Sequence, residues 1–325
     1  MAAGYPRRIG NPRATHCASR RRLMHALIGL AAFGATAAIG HAARDARSAP
    51  EGTTRRAAAH RFSTVLFIPF GDHDLGFSEA AYRGYVALQR DGYRIDVVRN
   101  ADSLGEKRIL EIIGTRYAAG ARGFILAGSE LSAATTTAAA RYPDAFFATV
   151  AGSARGPNVV NYCVDCRPLG GALAGQVAAR ASITKIVGFV GGVESVDGGE
   201  ANRFRQTVLD SAPDAKVLID WTGDWSDRKR TRELTEQQIR AGADIVVADA
   251  NDAVIATASR CGRVKAIGWM TDASHRYRNV AASVIVDMSV IFRRFVDAAA
   301  TGRFTGGDYV VEESDNVWKI VWPRR

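Results

Sequence analysis

The chain has 325 residues, an apolar fraction of 47% and a formal net charge of +10, enough for two compact domains with ordinary cores. Residues 1–61 hold eleven Arg against Asp45 and Glu51, so they carry +9 and the remainder carries +1. A phosphate-binding basic groove on the folded part is therefore excluded, and no nucleic-acid partner is expected.

In chain order, residues 1–61 read as an export signal and a disordered linker. An Arg cluster at 20–22 precedes an apolar stretch from Leu23 to Ile39, and small residues follow at Gly40 and Ala42, the pattern of a cleavable signal. Ser19-Arg20-Arg21 with Leu23 and Met24 resembles a twin-arginine export motif, and an ordinary positively charged leader reads equally well. The apolar stretch is short and Ala/Gly-rich for a permanent span, although its retention in the membrane is the alternative. No Cys stands at its end to take a lipid, since Cys17 lies before it. The expected product is a soluble periplasmic protein, not a lipoprotein.

From residue 61 onward, β-rich runs at 63–69, 94–99, 123–127, 145–151, 185–190, 216–221, 244–249 and 264–269 alternate with helical patterns. The helical segments are 78–90, 104–119, 132–142, 168–181, 198–211, 228–241, 252–261 and 287–301. Several strands are apolar without alternation, as in sheets covered on both faces. Short strand–helix–strand links build parallel sheets. The segment "NVVNYCVDCRPLGG" divides the pattern into two such sheets, and the alternating "GDYVVEESDNVWKIVWP" reads as a closing antiparallel hairpin. The class is α/β.

Ligands of open parallel sheets bind at the C-terminal strand ends. Those ends carry "FGDHDLGFSEAAYRGY", "AGSE", "AGSARG", "GGVESVDGGEANRF", "TGDWSD", "DANDA" and "GWMTDASH". Aromatics with acids at several ends (Phe77, Trp225 and Trp269, with Asp249 opening the seventh loop) suit a flat, hydrogen-bonding ligand. Asp72-His73-Asp74 could ligate a metal, but adjacent residues of an extended loop point apart, and no metal or cofactor is expected. A solvated turn with Ser78 as helix N-cap is the bland alternative. The chain lacks a G-x-S-x-G elbow, a phosphate-binding G-x-x-x-x-G-K-[ST] and a clean G-x-G-x-x-G, so it does not read as an enzyme. "CVDC", Cys163 and Cys166, reads first as a local disulfide, with two free thiols or a redox centre as alternatives; Asp165 between them works against thiolate formation.

The order of these segments resembles the basic-membrane-protein family of substrate-binding proteins, the purine-nucleoside-receptor type of ABC importers. The resemblance is carried by "DLGFSEAAYRGY", "PNVVNYCVDCRPLGGALAGQVAA", "KIVGFVGG", "WTGDWSD", "AGADIVVADA", "AIGWMTD" and "GRFTGGDYV". It implies a type I periplasmic-binding fold of two lobes, each a parallel sheet flanked by helices, joined by three hinge crossovers. The implied N-terminal lobe is 62–160 plus about 284–304, and the C-terminal lobe is 161–283 plus about 305–325. The implied ligand site comprises Asp74, Phe77, Ser78, Glu79, Trp225, Asp249, Trp269, Met270 and Asp272. Phe77 and Trp225 would sandwich a base; Ser78 and Glu79 stand where the family has Asn and Asp; Asp272 matches the second acid of a Gly-x-Asp-x-Asp loop. Met270 replaces that loop's first acid, and apolar sequence around Val284–Val286 replaces a basic residue. Those two positions hold the ribose in the family, so a free base, a modified nucleoside or another planar heteroaromatic ligand is expected. The implied function is capture of a small planar ligand for an ABC importer permease; the alternative is a ligand sensor of the same fold. Cys163 and Cys166 fall close to the implied first hinge.

Overall fold

The computed structural model describes residues 51–324; the export signal and the first part of the linker expected over 1–61 lie outside them. Among the described residues, no helix is long and apolar enough to cross a membrane. The linker expected up to residue 61 is corrected at its C-terminal end. Residues Glu51–Arg61 form helix α1, whose Ala59 is buried in the core. The polar composition hides the small face of Ala58 and Ala59, which allows α1 to lie close against a later helix.

The first half of the chain supplies β1 (Thr64–Phe67), α2 (Phe77–Arg90), β2 (Ile95–Val98), α3 (Gly105–Ala118), β3 (Gly123–Ala127), α4 (Ser132–Arg141), β4 (Phe146–Val150) and β5 (Val159–Cys163). The second supplies α5 (Leu169–Ala181), β6 (Ile186–Gly191), α6 (Glu194–Ser211), β7 (Lys216–Trp221), α7 (Arg228–Arg240), β8 (Ile245–Ala248), α8 (Ala253–Ser259), β9 (Lys265–Met270) and β10 (Val280–Val286). Then come α9 (Met288–Ala300), β11 (Gly307–Val310) and β12 (Trp318–Val321). The first sheet runs β11-β5-β4-β3-β1-β2 and the second β12-β10-β9-β8-β6-β7, so both use one winding order. Every pairing is parallel except that of β12 with β10.

The α/β class with two helix-flanked parallel sheets is borne out. Strand β5 escapes the sequence pattern because a polar residue, Asn161, sits in its buried run. Its amide is satisfied there by Thr149 Oγ1, the Ala154 backbone and Asp308, so burial costs little. The expected closing hairpin is not formed. β11 lies parallel to β5 in the first sheet and β12 antiparallel to β10 in the second. Residues 307–310 thus pair with the first sheet, not with the lobe proposed for 305–325. Edge strands are half-buried, so two separate edges alternate as one hairpin would.

The chain crosses between the sheets three times: after β5, after β10 and between β11 and β12. The first crossing contains the Cys163–Cys166 disulfide. It is tied to the third: Val311 N–H donates to Cys163 O (3.0 Å), Trp318 Nε1–H to Val164 O (2.9 Å), and Arg167 pairs with Glu312 (3.1 Å). After the second crossing α9 packs on α2, where Phe292 leaves room only for Gly84; a Cβ there would lie 2.8 Å from its ring. In the second half, α5 and α6 approach through small residues. A Cβ on Gly171 would lie 2.0 Å from the Glu200 carbonyl oxygen.

Candidate functional site

The loop between β1 and α2 is built by its own acids. Asp74, expected to touch ligand, accepts from the backbone N–H of Gly76 (2.8 Å), Glu79 (2.9 Å) and Ser78 (3.2 Å). It thereby satisfies the orphan donors of the α2 N-terminus, the task expected of Ser78. Ser78 is fully buried instead, its hydroxyl accepting from Phe70 N–H at 3.1 Å. Glu79 is also buried. Its Oε1 accepts from Arg83 (2.7 Å) and its Oε2 from Leu75 N–H (2.9 Å). Phe77 opens α2, half-buried against the core. Asp72 pairs with Arg99 at 2.7 Å and lies 3.5 Å from His73 Nε2, while Asp74 is turned to the α2 N-terminus.

The same loop reaches the second half. Leu75, at φ +52°, is buried in an apolar cluster whose other members include Val190, Leu234, Ala248, Ala250 and Val254. Arg276, in the loop between β9 and β10, approaches Glu79 Oε2 at 3.8 Å and donates to His73 O at 3.3 Å. A non-glycine residue in the left-handed region is held only where packing favours it, and the buried Leu75 side chain supplies that packing. The loop between β1 and α2 therefore ties the first half of the chain to the second.

The second sheet presents a different surface. β6 ends in Gly191-Gly192, β7 leads into Trp225 and β8 into Asp249. Trp225 is 41% exposed, yet its position is set on three sides. Its Nε1–H donates to Asp197 Oδ2 (2.9 Å), its carbonyl accepts from Asn251 Nδ2 (2.7 Å), and its ring lies against Gly192, where a Cβ would fall 2.1 Å from Cδ1. Asp249 is buried and accepts from Gly192 N–H at 3.2 Å. Asp197 also accepts from Val193 N–H at 3.3 Å. The two carboxyls act on each other electrostatically. Burial pushes both upward, and the charge of Asp197 drives Asp249 well above the ordinary carboxyl range. One turn along α6, Glu200 is buried, and burial pushes it up to about 8. Its Oε2 accepts from Gly171 N–H and its Oε1 has no partner.

The rest of the predicted set divides. Trp269 does not line the cleft: it is 5% exposed and packs between Phe189 (5.9 Å between ring centres) and Trp318 (5.4 Å). Its strand alternation turns it inward against α5, where Gly170 makes room for it. Met270 follows, half-buried at φ +65°. Asp272 is half-buried and closes a turn, accepting from Ser274 N–H (2.9 Å) and Ser283 Oγ (3.3 Å). Val286 is buried. The structure brings Trp225 and Asp249 to one place, but Phe77 and Trp225 make no ring contact with each other among the described residues.

Asp197 and Glu200 were not singled out from the sequence. Asp197 lies just before the helix expected at 198–211 and Glu200 in its first turn; α6 begins earlier, at Glu194, so both lie on it. The signal was present: Ala201, Phe204 and Val208 are buried at helical spacing, and the same spacing extended backward falls on Asp197 and Glu200. Gly198-Gly199 masked it. In the structure Cys163 and Cys166 of "CVDC" are joined as a disulfide. A cavity of about 330 Å³ lies away from these strand ends, between α1 and α9, lined by Arg56, Asp91, Tyr93, Arg293 and Arg303 among others.

A family model described as "Bmp: ABC transporter substrate-binding protein PnrA-like" matches residues 63–312. The chain belongs to this family. Its members are substrate-binding components of transporters, not enzymes. An "ABC transporter nucleoside-binding protein BmpA" of Lactococcus lactis subsp. cremoris is 24% identical over 213 residues, 58% of this chain and 60% of that protein; the chain thus spans well under two thirds of that curated relative. Two solved structures share the fold. A solute-binding protein of an ABC transporter system from Conexibacter woesei has a TM-score of 0.69 and 19% identity, over 80% of this chain and 88% of that one. A transcriptional activator of the comK gene from Bacillus halodurans has a TM-score of 0.70 and 18% identity, over 80% and 89%. The fold is that of two-lobed solute-binding proteins, as expected.

Proposed function

We propose that the chain is the exported solute-binding component of an ABC importer, and that it captures a planar ring ligand (nucleoside, nucleobase or similar heteroaromatic) against Trp225. Family membership supports the transport role, and the nucleoside-binding relative supports the ligand class. The observation that carries the reading is Trp225 itself: a large aromatic left exposed at a C-terminal strand edge and fixed by Asp197, Asn251 and Gly192. A rigid exposed ring binds a flat ligand without first losing rotamer freedom. The first-lobe loop closes over the ligand from the other side, with Phe77 as the partner ring, and the three crossings absorb the lobe rotation. The loaded protein then presents both lobes to a permease in the periplasm.

The test is a thermal-shift screen of the purified chain with purines, pyrimidines and their nucleosides, since a ligand that binds only the folded state raises the midpoint. A shift with at least one ring compound is expected; no shift across the panel, with shifts for sugars or amino acids, contradicts the reading. The regulator of the same fold from Bacillus halodurans keeps a sensor role as the second reading. Cell fractionation separates them: a processed periplasmic form fits import, and an unprocessed membrane form fits sensing.

A further inference from the structure

Residues 62–325 are nearly neutral, but α1 changes the local balance. It packs along α9, with Ala59 buried and His60 against Tyr93, 4.8 Å between ring centres. Arg55 and Arg56, which the charge count assigns to the N-terminal segment, are thereby returned to the folded part. They line the cavity of about 330 Å³ together with Arg293 and Arg303. Two acids, Asp91 and Asp297, share the lining, so its described residues hold four fixed positive charges against two negative ones.

Both acids are already engaged. Asp91 accepts from Arg293 Nη2 at 2.7 Å, and Asp297 Oδ1 accepts from the Tyr93 hydroxyl at 3.2 Å. Among the described residues no acid pairs with Arg56 or Arg303; Arg303 Nε donates only to Thr301 Oγ1, at 3.0 Å. At other junctions between elements the chain does pair its arginines, Arg228 with Asp252 and Arg294 with Asp315. Like charges gathered round one hollow repel each other, and an anion entering it removes that cost. The volume of the hollow falls in the range of small-molecule sites.

We propose that this cavity binds a small dianionic oxyanion, a phosphate ester or a dicarboxylate, between α1 and α9. The surplus of two positive charges sets the charge of the ligand. The arginine forks, each able to hold two oxygens of one group, set its oxyanion chemistry. The site lies away from the strand ends, so it does not depend on what Trp225 holds. Its consequence falls on α1, the first described element after the export segment: an anion held by Arg56 and Arg303 fastens that helix to α9.

The experiment is a thermal-shift titration of the full chain with inorganic phosphate, glycerol 3-phosphate and succinate, each against sodium chloride at matched ionic strength. Hydrogen–deuterium exchange of residues 51–61 then locates the response. At least one of the three should raise the midpoint beyond the chloride control and slow exchange in α1. Arg56→Ala and Arg303→Ala should each raise the half-saturating concentration about five-fold or more. Asp297→Asn, which keeps an acceptor for Tyr93 while removing a negative charge, should lower it about two-fold. A response to the phosphates alone assigns a phosphate group, and one to succinate alone assigns a dicarboxylate. The arginines of residues 1–50 are kept in every variant, so a response that survives both Arg→Ala changes belongs to that segment and overturns the assignment. A midpoint that moves no further than with chloride overturns it as well.

Discussion

The loop between β1 and α2 and the edge of the second sheet use the same residue types for opposite ends. In the first loop every acid is matched: Asp74 by three backbone donors, Glu79 by Arg83, Arg276 and a backbone N–H, Asp72 by Arg99. At the edge of the second sheet Asp197, Asp249 and Glu200 have no ion pair among the described residues and accept only from backbone N–H groups and the Trp225 indole. On the proposed function, the edge of the second sheet carries the exposed ring of Trp225, and the first loop, with its acids committed to its own shape, closes over the ligand with Phe77.

The largest effect expected from this contrast is on pH dependence. Glu200 stands at about 8 in the folded chain against an ordinary 4.5. A raised folded value favours the folded state fully below the unfolded value, and that contribution is lost as pH rises through the folded value. Each unit is worth about 1.4 kcal/mol, so stability should fall by on the order of 4 kcal/mol between about pH 4.5 and 8 from this group. Urea unfolding at several pH values should show Glu200→Gln flattening the slope. An unchanged slope would mean that Glu200 is solvated and the edge of the second sheet is not starved of charge.

Leu75 comes next. Removing its buried side chain should cost about 2–3 kcal/mol, lost mainly from closure, since its neighbours belong to the second half. Small-angle scattering of Leu75→Ala should report a larger radius of gyration than the parent. An identical radius with a lowered melting point would make Leu75 ordinary core.

Much of the fold was legible in the sequence, and the reasons for the misses are physical. Apolar runs and Gly punctuation exposed eight strands, because fully covered parallel strands leave continuous Val, Ile and Phe. They did not expose β5, whose Asn161 is satisfied by partners distant in sequence, nor the separate destinations of β11 and β12, which depend on crossings that no local pattern records. The site was legible by type more than by role. Trp225 and Asp249 were reached from strand ends, while Asp74 and Glu79 look the same in sequence whether they bind ligand or cap a helix. Trp269 was misassigned because an aromatic at a strand end faces inward or outward according to one residue of register.

A smaller effect is expected at the hinge. The Cys163–Cys166 bridge closes a very short loop, for which the chain-entropy relation gives about 2 kcal/mol at most. Reduction by a dithiol should therefore lower the unfolding midpoint modestly. If ligand affinity also changes, the bridge constrains closure; an unchanged midpoint would show that the backbone bonds of Cys163 and Val164 to the third crossing hold the hinge without it.

The central claim is that recognition lies with the edge of the second sheet, and one titration tests it most directly. The ring compound giving the greatest thermal shift is titrated calorimetrically into Trp225→Ala and Ser78→Ala. Loss of ring stacking is worth about 1–3 kcal/mol, so Trp225→Ala should bind roughly 10- to 100-fold more weakly. Ser78→Ala, which removes one buried acceptor inside the first loop, should cost about 1 kcal/mol of stability and leave affinity within about three-fold of the parent. Parent-like affinity in Trp225→Ala, or a larger loss in Ser78→Ala, would contradict the account.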